Sequence, residues 1–185
     1  MIRKLAALLA VFATLALTGC GYNELQKQDE GIKAAWSEVL NQYQRRADLV
    51  PNLVNTVKGY AAHERETLDA VTQARTRAVA AQNAGPAERA AAEGQLTNAL
   101  RGLTVAVEAY PQLQASGGFR DLQQQLASIE DAIQNARRYY NAVVRDFNTA
   151  VSTFPSNLFA SSMGYKELEF FQAEEGERAV PKVSF

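Results

Sequence analysis

The stretch FRDLQQQLASIEDAIQNARRYYNAVVRDFNTAVSTF, residues 119–154, decides the fold. Apolar or small side chains recur at Phe119, Leu122, Leu126, Ile129, Ile133, Ala136, Tyr140, Val143, Phe147, Ala150 and Phe154, with steps that alternate three and four. A sustained 3.5-residue repeat marks a long helix with a narrow apolar seam that must be covered by other long helices. At 1.5 Å per residue such a helix is about 54 Å long. Gly117-Gly118 before it and Pro155 after it set its ends.

Working outward, the preceding segment carries a shorter seam at Leu96, Leu100, Leu103, Val107 and Tyr110. Pro86 suits a first helical turn and Pro111 a stop, and Asn83-Ala84-Gly85-Pro86 is a connector. Further upstream the seam is Leu25, Ile32, Trp36, Val39, Tyr43, Ala47 and Val50, then Val54, Val57, Ala61, Leu68, Val71 and Ala78. Pro51 sits in its middle, lacking the N–H for a helical bond and crowding the carbonyl of Ala47. The spacing therefore predicts a break and tight reversal at Leu49 to Pro51. The competing reading is one long kinked helix over residues 22–83, since the seam keeps its phase across the proline. With the break, four helices joined by short connectors predict an all-α, antiparallel up-down-up-down four-helix bundle over residues 20–155. After Pro155 the pattern is lost, and residues 156–185 read as an extended tail whose aromatic side chains dock on the helices.

The amino end has a different logic. Arg3 and Lys4 precede an uncharged run from Leu5 to Leu17, too short for a membrane span of about 20 residues but suited to a signal peptide. Leu17-Thr18-Gly19-Cys20 resembles a bacterial lipobox, which implies removal of residues 1–19 and acylation of the Cys20 thiol. Two or more acyl chains anchor stably, at about 0.8 kcal/mol per buried CH₂. Cys20 is the sole cysteine, so it forms no intrachain disulfide and joins no cysteine zinc site. Gly21 rather than Asp follows it, which resembles the outer-membrane sorting rule of enteric bacteria; either membrane facing the periplasm fits. Loss of Arg3 and Lys4 leaves 17 basic against 20 acidic side chains, with no basic footprint for nucleic acid.

The run from Ala35 to Arg75, above all Arg45-Arg46-x-Asp48-Leu49-Val50-Pro51-Asn52-Leu53-Val54 followed by Val57-Lys58-Gly59-Tyr60 and His63-Glu64, resembles the LemA family. So do Tyr140-Asn141, Phe154-Pro155-Ser156-Asn157 and Pro181-Lys182-Val183-x-Phe185. The resemblance implies a membrane-anchored helical protein without an assigned enzymatic activity, and it brings no catalytic residues. Members usually keep an uncleaved amino-terminal membrane helix; the lipobox cysteine departs from that.

Candidate sites are few. His63 precedes Glu66 by three residues, but no matching Glu-x-x-His follows, so His63 reads as solvated, with Tyr60 capping the core. No catalytic residue, metal ligand or cofactor site is expected. Arg45, Arg46, Asp48, Pro51 and Asn52 read as a structural or partner-docking motif: the arginines complement a helix carboxyl end and Asp48 caps the next helix. Arg137 and Arg138 read as solvated. Val183-Ser184-Phe185 is an end that a carboxylate-capturing domain could read by strand addition, against the simpler reading of a docked end. The expected function is that of a lipid-anchored cell-envelope scaffold or adaptor, with an unidentified envelope protein as partner. The rival readings are an envelope hydrolase or metal-dependent enzyme, and a self-assembling structural protein.

Overall fold

The computed structural model describes the backbone of residues 2–171 and the side chains of 22–158 and 160–171. Leu17, Thr18, Gly19 and Cys20 lie on helical backbone with side chains outside that description, and the carboxyl-terminal Val183-Ser184-Phe185 falls outside it entirely. Every regular element among the described residues is a helix: α1 (Ile2–Tyr60), α2 (Arg65–Ala80), α3 (Pro86–Val107), α4 (Pro111–Ala115), α5 (Gly117–Ser152) and α6 (Ser156–Ser162). Among those residues no helix is long and apolar enough to cross a membrane.

The chain forms two compact units. The first takes Met1–Ser37 and Arg138–Phe170; the second is built on Glu38–Arg137 together with Phe171. In the first unit α1 and α5 run antiparallel. Trp36 meets Tyr140 with ring centroids 5.7 Å apart, and a Cβ on Gly31 would stand 3.7 Å from Val143 Cγ1. Leu25, Ile32, Ala35, Tyr140, Val144, Phe147 and Ala160 form its interior. The chain after Pro155 begins with the short helix α6 rather than as an extended tail. It then returns along α5, where Tyr165 sits edge-on to Phe147 and the Asn148 amide exchanges two hydrogen bonds of 2.9 Å with the Leu168 backbone.

In the second unit α2 and α3 form a hairpin across a 3₁₀ turn at Ala81–Asn83, with Pro86 in the first turn of α3 as its sequence position predicts. Val50, Val57, Leu68, Val71, Leu96, Leu100, Leu103, Leu113 and Phe119 close the core between α1, α2, α3, α4 and the start of α5. Each fully buried aliphatic side chain of this kind contributes about 1.5–3 kcal/mol.

Two further expectations need correction. The reversal at Leu49 to Pro51 does not occur: Pro51 lies inside α1, which continues to Tyr60. The chain turns instead through Ala61 to Glu64, where Ala61 N–H bonds the Val57 carbonyl and Glu64 N–H bonds the Ala61 carbonyl. Proline should leave the Ala47 carbonyl without its helical donor. Arg75 on α2 supplies one, its Nε donating to the Ala47 oxygen at 2.6 Å. The helix tolerates Pro51 because a neighbouring helix replaces the lost bond. The second correction is small. Val144 is fully buried and Val143 only partly, so burial steps by one residue there before Phe147 rejoins the expected seam, and Phe154, expected at its end, is exposed beyond the helix. A straight helix drifts about 20° per heptad against a 3.5 repeat, and one four-residue step in place of a three absorbs it.

Removing Arg75 should leave a buried carbonyl unpaired, at a cost of about 1–3 kcal/mol. Arg75→Ala is therefore expected to destabilise the wild type clearly but a Pro51→Ala background much less, since alanine restores the N–H. Denaturant unfolding of the double-mutant cycle measures the coupling; equal costs in both backgrounds would refute the compensation.

Candidate functional site

The family-like residues around Pro51 lead to a buried cluster of charge. Arg46 takes a seam position on α1, four residues before Val50 and three after Tyr43, and is 1% exposed. Its Nη2 donates to Glu93 Oε2 at 2.6 Å and to the Glu93 carbonyl at 3.1 Å. Its Nη1 donates to Glu130 Oε1 at 2.6 Å and to Thr97 Oγ1 at 2.8 Å. One guanidinium thus ties α1 to α3 and α5. Glu93, wholly buried, also holds Arg89 one helical turn earlier, Nη2 to Oε1 at 2.9 Å, as an ion pair without hydrogen-bond geometry. Arg89 Nη1 donates to the Ala78 carbonyl near the end of α2.

Tyr43 lies among these charges. The guanidinium carbons of Arg46, Arg89 and Arg137 stand 5.3–5.7 Å from its ring centroid, within cation–π range. Its hydroxyl accepts from Arg137 Nε at 2.9 Å, and Arg137 also stacks on Phe171, 5.4 Å from that ring. Three arginines face two carboxylates, so the ring and the carbonyls share the excess positive charge. Burial pulls the Arg46 guanidinium toward neutrality, but Glu130 and Glu93 outweigh it and raise its pKa above the ordinary arginine value. Burial raises the Tyr43 hydroxyl above its ordinary 10.0, against the pull of Arg137.

The other expected residues are scattered. Arg45 is exposed and donates to Gln42 Oε1; Asp48 is exposed and accepts from Gln44 Nε2; Asn52 is exposed, its carbonyl accepting from Thr56. Without a helix end near Pro51, neither the dipole role for the arginines nor the capping role for Asp48 applies. Arg137, read as solvated, is partly buried on Tyr43. Tyr60 is 51% exposed and does not cap the core. His63 is exposed in the turn before α2, while Glu64 accepts from the Tyr110 hydroxyl at 2.8 Å. Sequence reasoning missed Arg89, Glu93, Thr97 and Glu130. Their signal was available: Arg89, Glu93, Leu96, Leu100, Leu103 and Val107 share one three-four spacing, so two charged residues occupy core positions.

Chemically the cluster holds helices together; its carboxylates are committed to arginines. Among the described residues no group of three or more His, Cys, Asp or Glu could hold a metal ion. An open depression on α5 is lined by Asp121, Gln124, Gln125 and Ser128, with no nucleophile–base pair.

A buried ion pair adds little net stability, but removing one partner strands the other at about 3–5 kcal/mol. Glu93→Leu and Arg46→Met should each destabilise by that order, and the double variant by less than their sum, as read by denaturant unfolding. Tyr43 adds a pH test. Its folded pKa lies above its unfolded value near 10.0, so its contribution is complete below pH 10 and is lost as pH rises toward the folded value. Between about pH 9 and about pH 11 the wild type should lose more stability than Tyr43→Phe, which lacks this ionisation.

The model of the LemA family matches residues 35–185. Magnetosome protein MamQ 2 of Paramagnetospirillum magneticum is 28% identical over 196 residues, covering 93% of this chain and 71% of the relative. Protein LemA of Metamycoplasma hominis is 28% identical over 158 residues, covering 84% of this chain and 71% of its own length. Magnetosome protein MamQ of Magnetospirillum gryphiswaldense is 27% identical, covering 89% and 68%. The matched span includes every residue of the Arg46 cluster, α1 from Ala35 onward and all of α3 and α5; this chain belongs to the LemA family.

Proposed function

We propose that the protein is a membrane-anchored, non-enzymatic scaffold or adaptor of the bacterial cell envelope, held by lipid at Cys20 on an extracytoplasmic face. The observation that carries this reading is the continuity of α1. Its backbone is helical without interruption from Cys20 to Tyr60, so the residue that would carry the lipid opens the helix around which the rest packs. An anchor joined to this helix holds the α1–α5 pair of the first unit close to the bilayer, which suits a positioning role. Within this reading the second unit packs α1, α2, α3 and α5 as a four-helix arrangement. The charge cluster supports it too, since Arg46, the one buried charged residue of the family-like motif, is spent on locking helices together.

Mass spectrometry of the protein from bacterial membranes tests the anchor. The expected product begins at an acylated Cys20, and Cys20→Ala should lose both the acyl mass and membrane fractionation. An intact Met1 with a free thiol would sink the lipid reading. Photocrosslinking in intact cells should then capture an envelope protein on the exposed faces; a purified chain that turns over a substrate would instead favour an enzyme.

A further inference from the structure

The far end of the first unit has a composition unlike the rest of the chain. No charged side chain occurs between Asp146 and Lys166, a span that covers the end of α5, the Pro155 turn and α6. Within it Phe154 is 75% exposed and Leu158 62% exposed, the two most exposed large apolar side chains among the described residues. Tyr22, at the matching end of α1, is 49% exposed. The antiparallel register of α1 and α5 places Tyr22 and the Phe154 turn at one height, and Leu158 follows in the first turn of α6. Counting from the Gly31–Val143 contact, Tyr22 lies about 14 Å toward the amino end of α1 and Ser152, the last residue of α5, about 14 Å along α5, with Phe154 two residues beyond in the turn. They therefore stand within a few ångströms of one level.

That level is set by the anchor. Tyr22 follows Cys20 by two residues, a rise of about 3 Å in a helix. Resting on the anchoring proposed above, we propose that Tyr22, Phe154 and Leu158 form a membrane-contact surface lodged in the headgroup region of the same bilayer. The chemistry fits a lipid surface. Aromatic side chains favour the interface between headgroups and acyl chains, and an uncharged Ser- and Asn-containing frame enters it without stranding a charge. The nearest charges on α1, Glu24 and Lys27, begin on the side of Tyr22 away from Cys20. Two contacts, one at residue 20 and one across the unit at Phe154 and Leu158, would fix the tilt of α1 and α5 where a single tether would let them swing.

The test uses the full chain from bacterial membranes in phosphatidylcholine vesicles with brominated acyl chains. Trp36→Phe removes the sole tryptophan, and Leu158→Trp or, as a control within the first unit, Tyr139→Trp introduces a reporter; Tyr139 is 59% exposed and about 20 Å back along α5 from Ser152. The expected result is vesicle flotation of both variants, with a blue shift and bromine quenching for Leu158→Trp and neither for Tyr139→Trp. Flotation of Leu158→Trp without quenching overturns the contact surface and leaves the anchor standing. Failure to float overturns the anchor itself and with it this surface. A blue-shifted but unquenched Leu158→Trp signal in a species of doubled mass overturns the proposal in favour of a second copy. If Trp36→Phe reduces the helical signal, Phe154→Trp in the wild-type background, read as a difference, gives the same decision.

Discussion

A guanidinium buried to 1% exposure is the constraint on which the second unit depends. Taking a charge of that size out of water costs several kcal/mol even after relaxation. Arg46 recovers that cost only where Glu93, Glu130, Thr97 and the Glu93 carbonyl are all within reach, which they are in a single register of α1 against α3 and α5. A slip of one helical turn, about 5.4 Å, would leave the apolar seams able to find new neighbours but would strand this charge. The cluster thus selects one alignment among several that hydrophobic burial alone would accept. The fold is specified where it is least greasy.

The same logic explains Pro51. A proline inside a helix is costly when its orphaned carbonyl meets nothing, and cheap when a donor is already in place. Arg75 can serve the Ala47 carbonyl only because α2 folds back along α1 after the turn at Ala61 to Glu64. Helix continuity at residue 51 is therefore a tertiary property. Local chemistry argued for a break, and the residue that overrides it, Arg75, lies on the next helix.

This marks the boundary of what the sequence made legible. The all-helical class, the long α5 and the start of α3 at Pro86 follow from periodicity and proline placement, which act locally. So does the burial of Tyr43, Val57, Leu96 and Phe147, which occupy seam positions. The Arg46 network was hidden by treating charge as a sign of solvent. Arg46, Arg89 and Glu93 keep the seam spacing, and opposite charges on core positions of different helices are a signature of pairing. Which carboxylate meets which guanidinium needed the register, and the register is a sum over the whole unit.

On the proposed anchoring, the two units divide the work. The second concentrates its buried charge and resists slippage. The first holds aromatic and aliphatic contacts between α1 and α5 and an end from which charge is excluded over the span from Phe147 to Tyr165. A charge-free, partly apolar surface is a liability for a protein surrounded by water, since exposed apolar patches invite association. It ceases to be one where that surface has a fixed neighbour. The residue that would supply the neighbour, Cys20, precedes Tyr22 by less than one helical turn, and the antiparallel return of α5 brings Phe154 to the same height. On the proposed anchoring, the odd composition at this end and the odd cysteine at position 20 have one cause: both belong to the part of the molecule that meets lipid.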